Sequence, residues 1–152
     1  GFFWIYDEYL PGPGRSIYEH TEEWKKRTKG SNVVLRIGGN KNTEDEIRQG
    51  YSAHGWPITE PKWKPPYQIQ LTQLMMERNK IFIFKTLHNL RDELANYLWD
   101  LDDNNKPLDR IKNEDRFHLC ACMRYGFSYF TPETLHQGYK GSSRSYLPAG
   151  MY

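Results

Sequence analysis

The chain has few cysteines and no long apolar run, and each shortage excludes a class of protein. Its 152 residues include two cysteines, Cys120 and Cys122. Because side chains two positions apart on a helix point to different faces, a disulfide between them is not expected, and both are predicted to be reduced thiols of an intracellular protein. No further ligands lie at zinc-finger spacing. No apolar run approaches the roughly 18 residues of a membrane span, so no membrane association is predicted.

Little net charge and no phosphate-binding loop limit the function further. The net charge is +2, which is unlike the strongly basic proteins that coat nucleic acid, although a local basic patch stays compatible with DNA binding. No Gly-rich loop followed by lysine is present, so the sequence carries no ATPase motor. The apolar fraction of 38% and the aromatic fraction of 15% suffice for the core of one domain.

Strand-like and helix-like segments alternate along the chain. Strands are predicted over residues 2–10, 33–37, 57–59 and 80–84. Helices are predicted over residues 17–29, 43–55, 67–78, 89–99 and 113–130, the first two opened by capping boxes. This alternation predicts an α/β fold in which helices cover a central sheet. Residues 100–109 are predicted to be a polar loop, and residues 131–152 a flexible C-terminal tail after a domain of residues 1–130.

Three stretches of the chain form a series whose order and spacing are informative. The first is WIYDEYLPG at residues 4–12. The second joins IGGNKNTEDEIR at residues 37–48 to GWPITEP at residues 55–61. The third is FHLCACMRY at residues 117–125. Together, over about residues 2–130, they resemble the C-terminal nuclease domain of the large terminase subunit of tailed bacteriophages.

The resemblance implies a fold, a reaction and a set of partners. The fold would be RNase H-like, with a central mixed sheet and helices on both faces. The reaction would be cleavage of concatemeric viral DNA during packaging, by hydrolysis with two Mg²⁺ or Mn²⁺ ions about 4 Å apart on clustered carboxylates. The partners would be double-stranded DNA, the terminase ATPase domain, the small terminase subunit and the portal, in the cytoplasm of the host cell.

The resemblance also assigns site residues. Glu44, Asp45 and Asp115 are the candidate metal ligands, and Glu44, Asp45 and His118 are candidate catalytic residues. Ala121 stands where the family has a metal-binding aspartate, three residues after the histidine. Glu44 and Asp45 suit a solvated first turn of a helix equally well, since the helix dipole favours carboxylates there. A packed role likewise remains open for His118.

Five cations are candidate DNA contacts, namely Lys41, Arg48, Lys62, Lys64 and Arg124. Lys62 and Lys64 flank Trp63, a pattern suited to a phosphate backbone, with a solvated loop as the alternative. Arg124 can alternatively pair with a buried carboxylate and serve the structure.

Missing carboxylates lead to two further expectations. The family's first metal-binding aspartate lies on an opening strand, upstream of the strand that begins at residue 2 here. Without it, and with Ala121, we expect weak or no cleavage; the alternative function is a nuclease-dead module that binds DNA or docks on the motor or portal. A sheet without its opening strand would also expose an edge, so self-association is expected.

Overall fold

The structure is a computed structural model that describes residues 1–39 and 44–130. Its helices are α1 (Ile17–Arg27), α2 (Asp45–Ala53), α3 (Pro65–Glu77), α4 (His88–Asn96) and α5 (His118–Phe127). Its strands are β1 (Phe3–Ile5), β2 (Ile81–Ile83), β3 (Trp99–Leu101) and β4 (Pro107–Ile111). A short 3₁₀ helix, Glu114–Arg116, precedes α5. The architecture is mixed α/β, as predicted, and no described helix is long and apolar enough to cross a membrane.

The described strands form two small sheets. β1 pairs in parallel with β2, with Trp4 opposite Phe82. β3 and β4 form an antiparallel hairpin. One parallel bridge joins Ile37 to Thr59. The strands predicted over residues 33–37 and 57–59 are thus reduced to this bridge, and one central sheet stays a prediction.

The polar loop predicted over residues 100–109 is wrong, because most of this segment belongs to the β3–β4 hairpin. The side chain of Asp102 accepts the amide protons of Asn104 and Lys106, each at 2.8 Å. Asn105 adopts a left-handed conformation with φ 60°. Asx turns of this kind reverse a chain without apolar residues, so the polar composition concealed a hairpin.

The helix predicted over residues 113–130 is also shorter than expected. Asn113 has φ 54°, a left-handed conformation that a helix cannot continue, so it is not the N-cap of one long helix. Only the 3₁₀ helix follows it directly, and α5 begins at His118. By contrast, the capping box of Ser16 and Glu19 is present at the start of α1, as predicted. The capping box that was predicted from Thr43 and the tail of residues 131–152 lie outside the described residues.

The core lies between the inner face of β1–β2 and the helices α4 and α5. A buried cluster consists of Leu87, Leu90, Leu119 and Cys120, with Ile5 and Ile83 among the residues packed against it. Because strand side chains alternate, Trp4 and Phe82, each of which precedes one of these isoleucines, point to the opposite face of the strand pair. Helix α5 therefore lies directly on the parallel strand pair.

Glu8 connects the segment after β1 to the start of α4. Its Oε1 accepts hydrogen bonds from the backbone and side-chain nitrogens of Asn89, at 3.2 and 2.9 Å. Its Oε2 accepts the amide proton of Leu90 at 2.8 Å. The N-cap residue of α4, Leu87, has no side chain that can cap, so the carboxylate of Glu8, 81 residues before Asn89, performs this role.

The outer face of β1–β2 is an exposed aromatic surface. Trp4 stacks on Phe82 with ring centroids 4.6 Å apart, and both contact further exposed rings. We call this surface the aromatic face; it consists of Phe2, Trp4, Phe82 and Phe84. Exposed apolar patches of this kind mark contact surfaces in soluble proteins.

Replacing Glu8 with alanine is expected to lower the free energy of unfolding by about 1–2 kcal/mol, because three donors at the start of α4 lose their acceptor. Urea unfolding followed by circular dichroism measures the change. The matched control is Glu22→Ala on α1, which removes only an exposed ion pair with Lys25 and should change stability by less than about 0.5 kcal/mol. Equal effects of the two substitutions would contradict the capping role.

The chain is expected to self-associate through the aromatic face. Light scattering over a concentration series should show a rising mean mass, and Trp4→Lys should shift the midpoint to higher concentration because a charge resists burial. Tyr18→Lys, at an equally exposed aromatic on α1, is the control and should leave association unchanged. A monomer at all concentrations would refute the expectation.

Candidate functional site

Helix α5 carries the position that the resemblance assigns to a metal-binding aspartate. Its N-cap residue, Phe117, makes no side-chain capping bond; instead Glu93 Oε2 on α4 accepts the amide proton of Cys120 at 2.9 Å. His118 is exposed and Ala121 is half-buried. Residues three apart on a helix are neighbours on its surface, so the histidine and the alanine share a face. The methyl group of Ala121 supplies no metal ligand.

Cys120 is no substitute ligand. Both cysteines are free, and Cys120 is buried. Burial, reinforced by the charge of Glu93, raises the pKa of the Cys120 thiol to about 12. The thiol therefore stays protonated at neutral pH, where only a thiolate would bind a metal or act as a nucleophile.

A tight turn at Gly39 brings together two side chains of the second motif. Gly39 has φ 74°, and a Cβ atom there would lie 2.8 Å from Nη1 of Arg48 and 2.9 Å from Oε2 of Glu44. Only glycine suits this conformation and this close approach. Asp45 forms an ion pair with Arg48. Glu44 is the N-cap residue of α2 but makes no side-chain capping bond, so the capping alternative does not describe its position.

Glu44 also lies within electrostatic range of α5. Burial raises the pKa of Tyr125, and the charge of Glu44 acts in the same direction. Tyr125 follows Ala121 by one helical turn and shares its face.

The remaining acidic candidates do not complete a metal site. Asp115 is exposed in the 3₁₀ helix, while Asp45 is paired with Arg48. Within residues 1–39 and 44–130, no three His, Cys, Asp or Glu side chains are close enough to hold one metal ion. Two-metal hydrolysis needs several carboxylate oxygens around ions about 4 Å apart. The described residues therefore do not fit a pair of Mg²⁺ or Mn²⁺ ions.

Asp7 and Glu8, two further acids of the first motif, are also occupied. Both oxygens of Asp7 accept from Nη1 of Arg27, at 2.8 and 2.9 Å, and Glu8 caps α4. They border a cleft of about 270 Å³ that is otherwise mostly apolar, with Leu119 and Phe127 in its wall. The cleft has no free carboxylate pair for acid–base chemistry among these residues.

Arg124 lies in the interior. It is 4% exposed, pairs with Glu114, and its Nη1 donates to Oε1 of Gln68 at 3.2 Å. Arg48 is buried as well. These two arginines therefore expose little of their side chains to a phosphate. The contacts of Arg124 are those of the alternative in which it pairs with a carboxylate and serves the structure. Lys41 lies outside the described residues.

Lys62 and Lys64 are exposed on either side of Trp63, in a segment that we call the tryptophan loop (residues 62–64). Nε2 of Gln68 donates to the carbonyls of Lys62 and Trp63, at 2.8 and 3.1 Å. The amide of Lys62 donates to Oγ of Ser128 at 3.0 Å. Trp63 has φ 65°, a left-handed conformation that costs a bulky residue about 1–2 kcal/mol.

Sequence reasoning missed the two residues that organise this region, Gln68 and Ser128. Both are buried, although glutamine and serine are mostly surface residues. No local pattern marks a polar residue whose partners are 5 to 66 positions away.

Comparison with known proteins yields one similar solved structure. No family model and no curated protein matches the chain. The chain is similar to the crystal structure of the large terminase (g2p) nuclease domain from bacteriophage SPP1 with bound Mn, with a TM-score of 0.59 and 21% identity. The match covers 75% of this chain and 63% of that chain, which is less than two thirds of the solved domain. The fold of this chain is therefore like that of a phage terminase nuclease domain, as the sequence motifs predicted.

Replacing Arg124 with methionine is expected to lower the free energy of unfolding by about 3 kcal/mol, because Glu114 and Gln68 lose a buried partner. Chemical unfolding measures the loss. Arg110→Met, which removes an exposed partner of Asp100, is the control and should cost less than about 1 kcal/mol. Unchanged stability combined with weaker DNA binding would instead make Arg124 a DNA contact.

Proposed function

We propose that the chain is a terminase-type nuclease domain that binds double-stranded viral DNA during genome packaging in the host cytoplasm, and that it does not cut DNA by itself. Its fold would be RNase H-like, with a central mixed sheet and helices on both faces. The likeness to a terminase nuclease domain supports this proposal, together with the order of the three sequence motifs.

The observation that carries the second half of the proposal is Ala121 on α5, at the position where the resemblance places a metal-binding aspartate. Hydrolysis by two metal ions depends on carboxylates that converge on one point. Here position 121 has a methyl group, and Asp45 is paired with Arg48. Glu44, Asp115 and His118 alone are too few and too dispersed to hold the two ions that the family's reaction requires.

Binding of duplex DNA needs cations that can reach phosphates. Lys62 and Lys64 are the candidates with exposed side chains in the described part of the chain. Contacts of this kind release counterions, so affinity should fall steeply as salt rises. Because the net charge is only +2, the chain as a whole attracts DNA weakly, and the lysines would bind it as a local patch.

A second candidate function is docking on the packaging motor or the portal. The aromatic face favours it, since Phe2, Trp4 and Phe82 present stacked rings to solvent. The ATPase domain, the small terminase subunit and the portal are the partners that the resemblance suggests. One cation borders the aromatic face, since Nζ of Lys80 lies 5.1 Å from the ring centroid of Phe2, and its four rings are otherwise stacked on one another. Docking would use this face, and DNA binding would use Lys62 and Lys64.

Plasmid cleavage with Mn²⁺ tests the proposal. The chain as it stands should leave supercoiled plasmid intact, because its carboxylates do not converge, while it still retards a duplex in a gel. Ala121→Asp should gain Mn²⁺-dependent nicking, since it adds the carboxylate that the resemblance places at this position of α5. Ala121→Asn is the matched control, which has the same shape without the charge.

Clear cleavage by the unaltered chain would overturn the proposal and the assignment of the ligands. If neither variant cuts but all bind duplex, the DNA-binding function stands and position 121 is not the only missing ligand. Failure of all forms to bind duplex would leave docking as the better function.

A further inference from the structure

The tryptophan loop presents two large aromatic rings to solvent at one point. Trp63 is 53% exposed and Tyr67, on the first turn of α3, is 49% exposed. Their ring centroids lie 5.3 Å apart with an interplanar angle of 63°. Rings this exposed add little to the core, so the pair needs an explanation other than folding.

The backbone at Trp63 strengthens this argument. The described chain has four non-glycine residues with positive φ, and three of them are asparagine: Asn79, Asn105 and Asn113. Asparagine tolerates the left-handed region because its short side chain bonds locally. Trp63 is the exception, and its bulk disfavours the conformation that it adopts. Folding alone would favour glycine or asparagine at this position, as elsewhere in the chain.

The loop is nevertheless held firmly. Gln68, which is 2% exposed, donates to the carbonyls of Lys62 and Trp63. Nη1 of Arg124 donates to Oε1 of the same glutamine, so the loop is tied to the buried Arg124, which pairs with the half-exposed Glu114. A loop whose backbone is fixed before binding loses little conformational entropy when a ligand binds to it.

Charge indicates the kind of ligand. Lys62 and Lys64 flank the pair, and neither forms an ion pair in residues 1–39 and 44–130. The ammonium group of Lys62 lies 4.3 Å from the ring centroid of Tyr129, which keeps the lysine beside the loop. Two uncompensated cations beside two exposed rings suit a ligand that combines flat bases with phosphates.

We propose that Trp63 and Tyr67 form a stacking platform for an unpaired nucleotide, with Lys62 and Lys64 on its flanking phosphates. The bases of an intact duplex are already stacked, so the platform takes single-stranded nucleic acid, such as a frayed or cut end. The inference rests on the proposed function in one respect: DNA is the ligand of the domain. The two lysines beside the rings favour a ligand that carries phosphates over an uncharged peptide.

The test compares single-stranded and duplex binding in one assay. The probes are a fluorescein-labelled oligothymidylate of about 12 nucleotides, within the usual length of single-strand sites, and a labelled duplex of mixed sequence at the same salt. The variants are Trp63→Gly and Tyr67→Leu. Tyr18→Leu on α1 is the matched control, because Tyr18 is 57% exposed and lies outside both the tryptophan loop and the aromatic face. Fluorescence anisotropy gives the affinities, and thermal unfolding gives the stability of each variant.

We expect Trp63→Gly and Tyr67→Leu each to weaken oligothymidylate binding at least about fivefold, the usual effect of losing a stacked base, while duplex binding changes less than about twofold. Tyr18→Leu should leave both affinities unchanged. Trp63→Gly should unfold at the same or a higher temperature than the unaltered chain, because glycine relieves the left-handed backbone. A residue that only supported the fold would show the opposite pattern.

Other results overturn the inference and separate it from the proposed function. If the chain binds duplex but the two variants keep full oligothymidylate affinity, the platform is wrong and the proposed function stands. If the chain binds oligothymidylate through these residues but no duplex, the platform stands and the proposed function falls. If the chain binds neither probe, both fall. A destabilised Trp63→Gly with unchanged affinity for Tyr67→Leu would assign the aromatic pair to folding.

Discussion

The described fold depends on two carboxylates, each of which accepts amide protons at the start of a helix. Glu8 accepts the first amide protons of α4, and Glu93 on α4 accepts an amide proton of α5. Neither helix has an N-cap residue with a capping side chain. Each carboxylate meets the positive end of a helix dipole, which positions α4 against β1 and then α5 against α4. The buried cluster of Leu87, Leu90 and Leu119 fills the space that these contacts define.

This use of carboxylates bears directly on the chemistry. Asp7, Asp45 and Glu114 each pair with an arginine, so they too serve the fold. A carboxylate that neutralises an adjacent guanidinium is a weaker partner for a cation, since the ion must compete with the existing pair. A fold like that of a phage terminase nuclease domain is thus present, while Asp7, Asp45 and Glu114 are engaged in ion pairs and position 121 carries no carboxylate.

Two exposed aromatic surfaces remain after folding, and they differ in kind. The aromatic face is broad and apolar, with rings stacked on one another across two strands. The tryptophan loop is small, flanked by cations and fixed by Gln68. The aromatic face suits contact with another protein, because such a contact would bury its apolar area. The tryptophan loop suits an unpaired nucleotide, because stacking and charge act together there.

The amino-acid sequence by itself determined those features whose signals are local. The capping box of Ser16 and Glu19 starts α1, the apolar run at β2 forms a strand, and the motif series indicates the terminase-like fold. These succeed because the interacting residues lie within one turn or one strand of each other. The tertiary structure alone decided the rest. It made a hairpin from a polar segment, buried Arg124, placed Trp63 in a left-handed turn and used Glu8 as a distant cap. Each of these depends on contacts between residues far apart in the chain, and such contacts leave no periodic signal in the residues that make them.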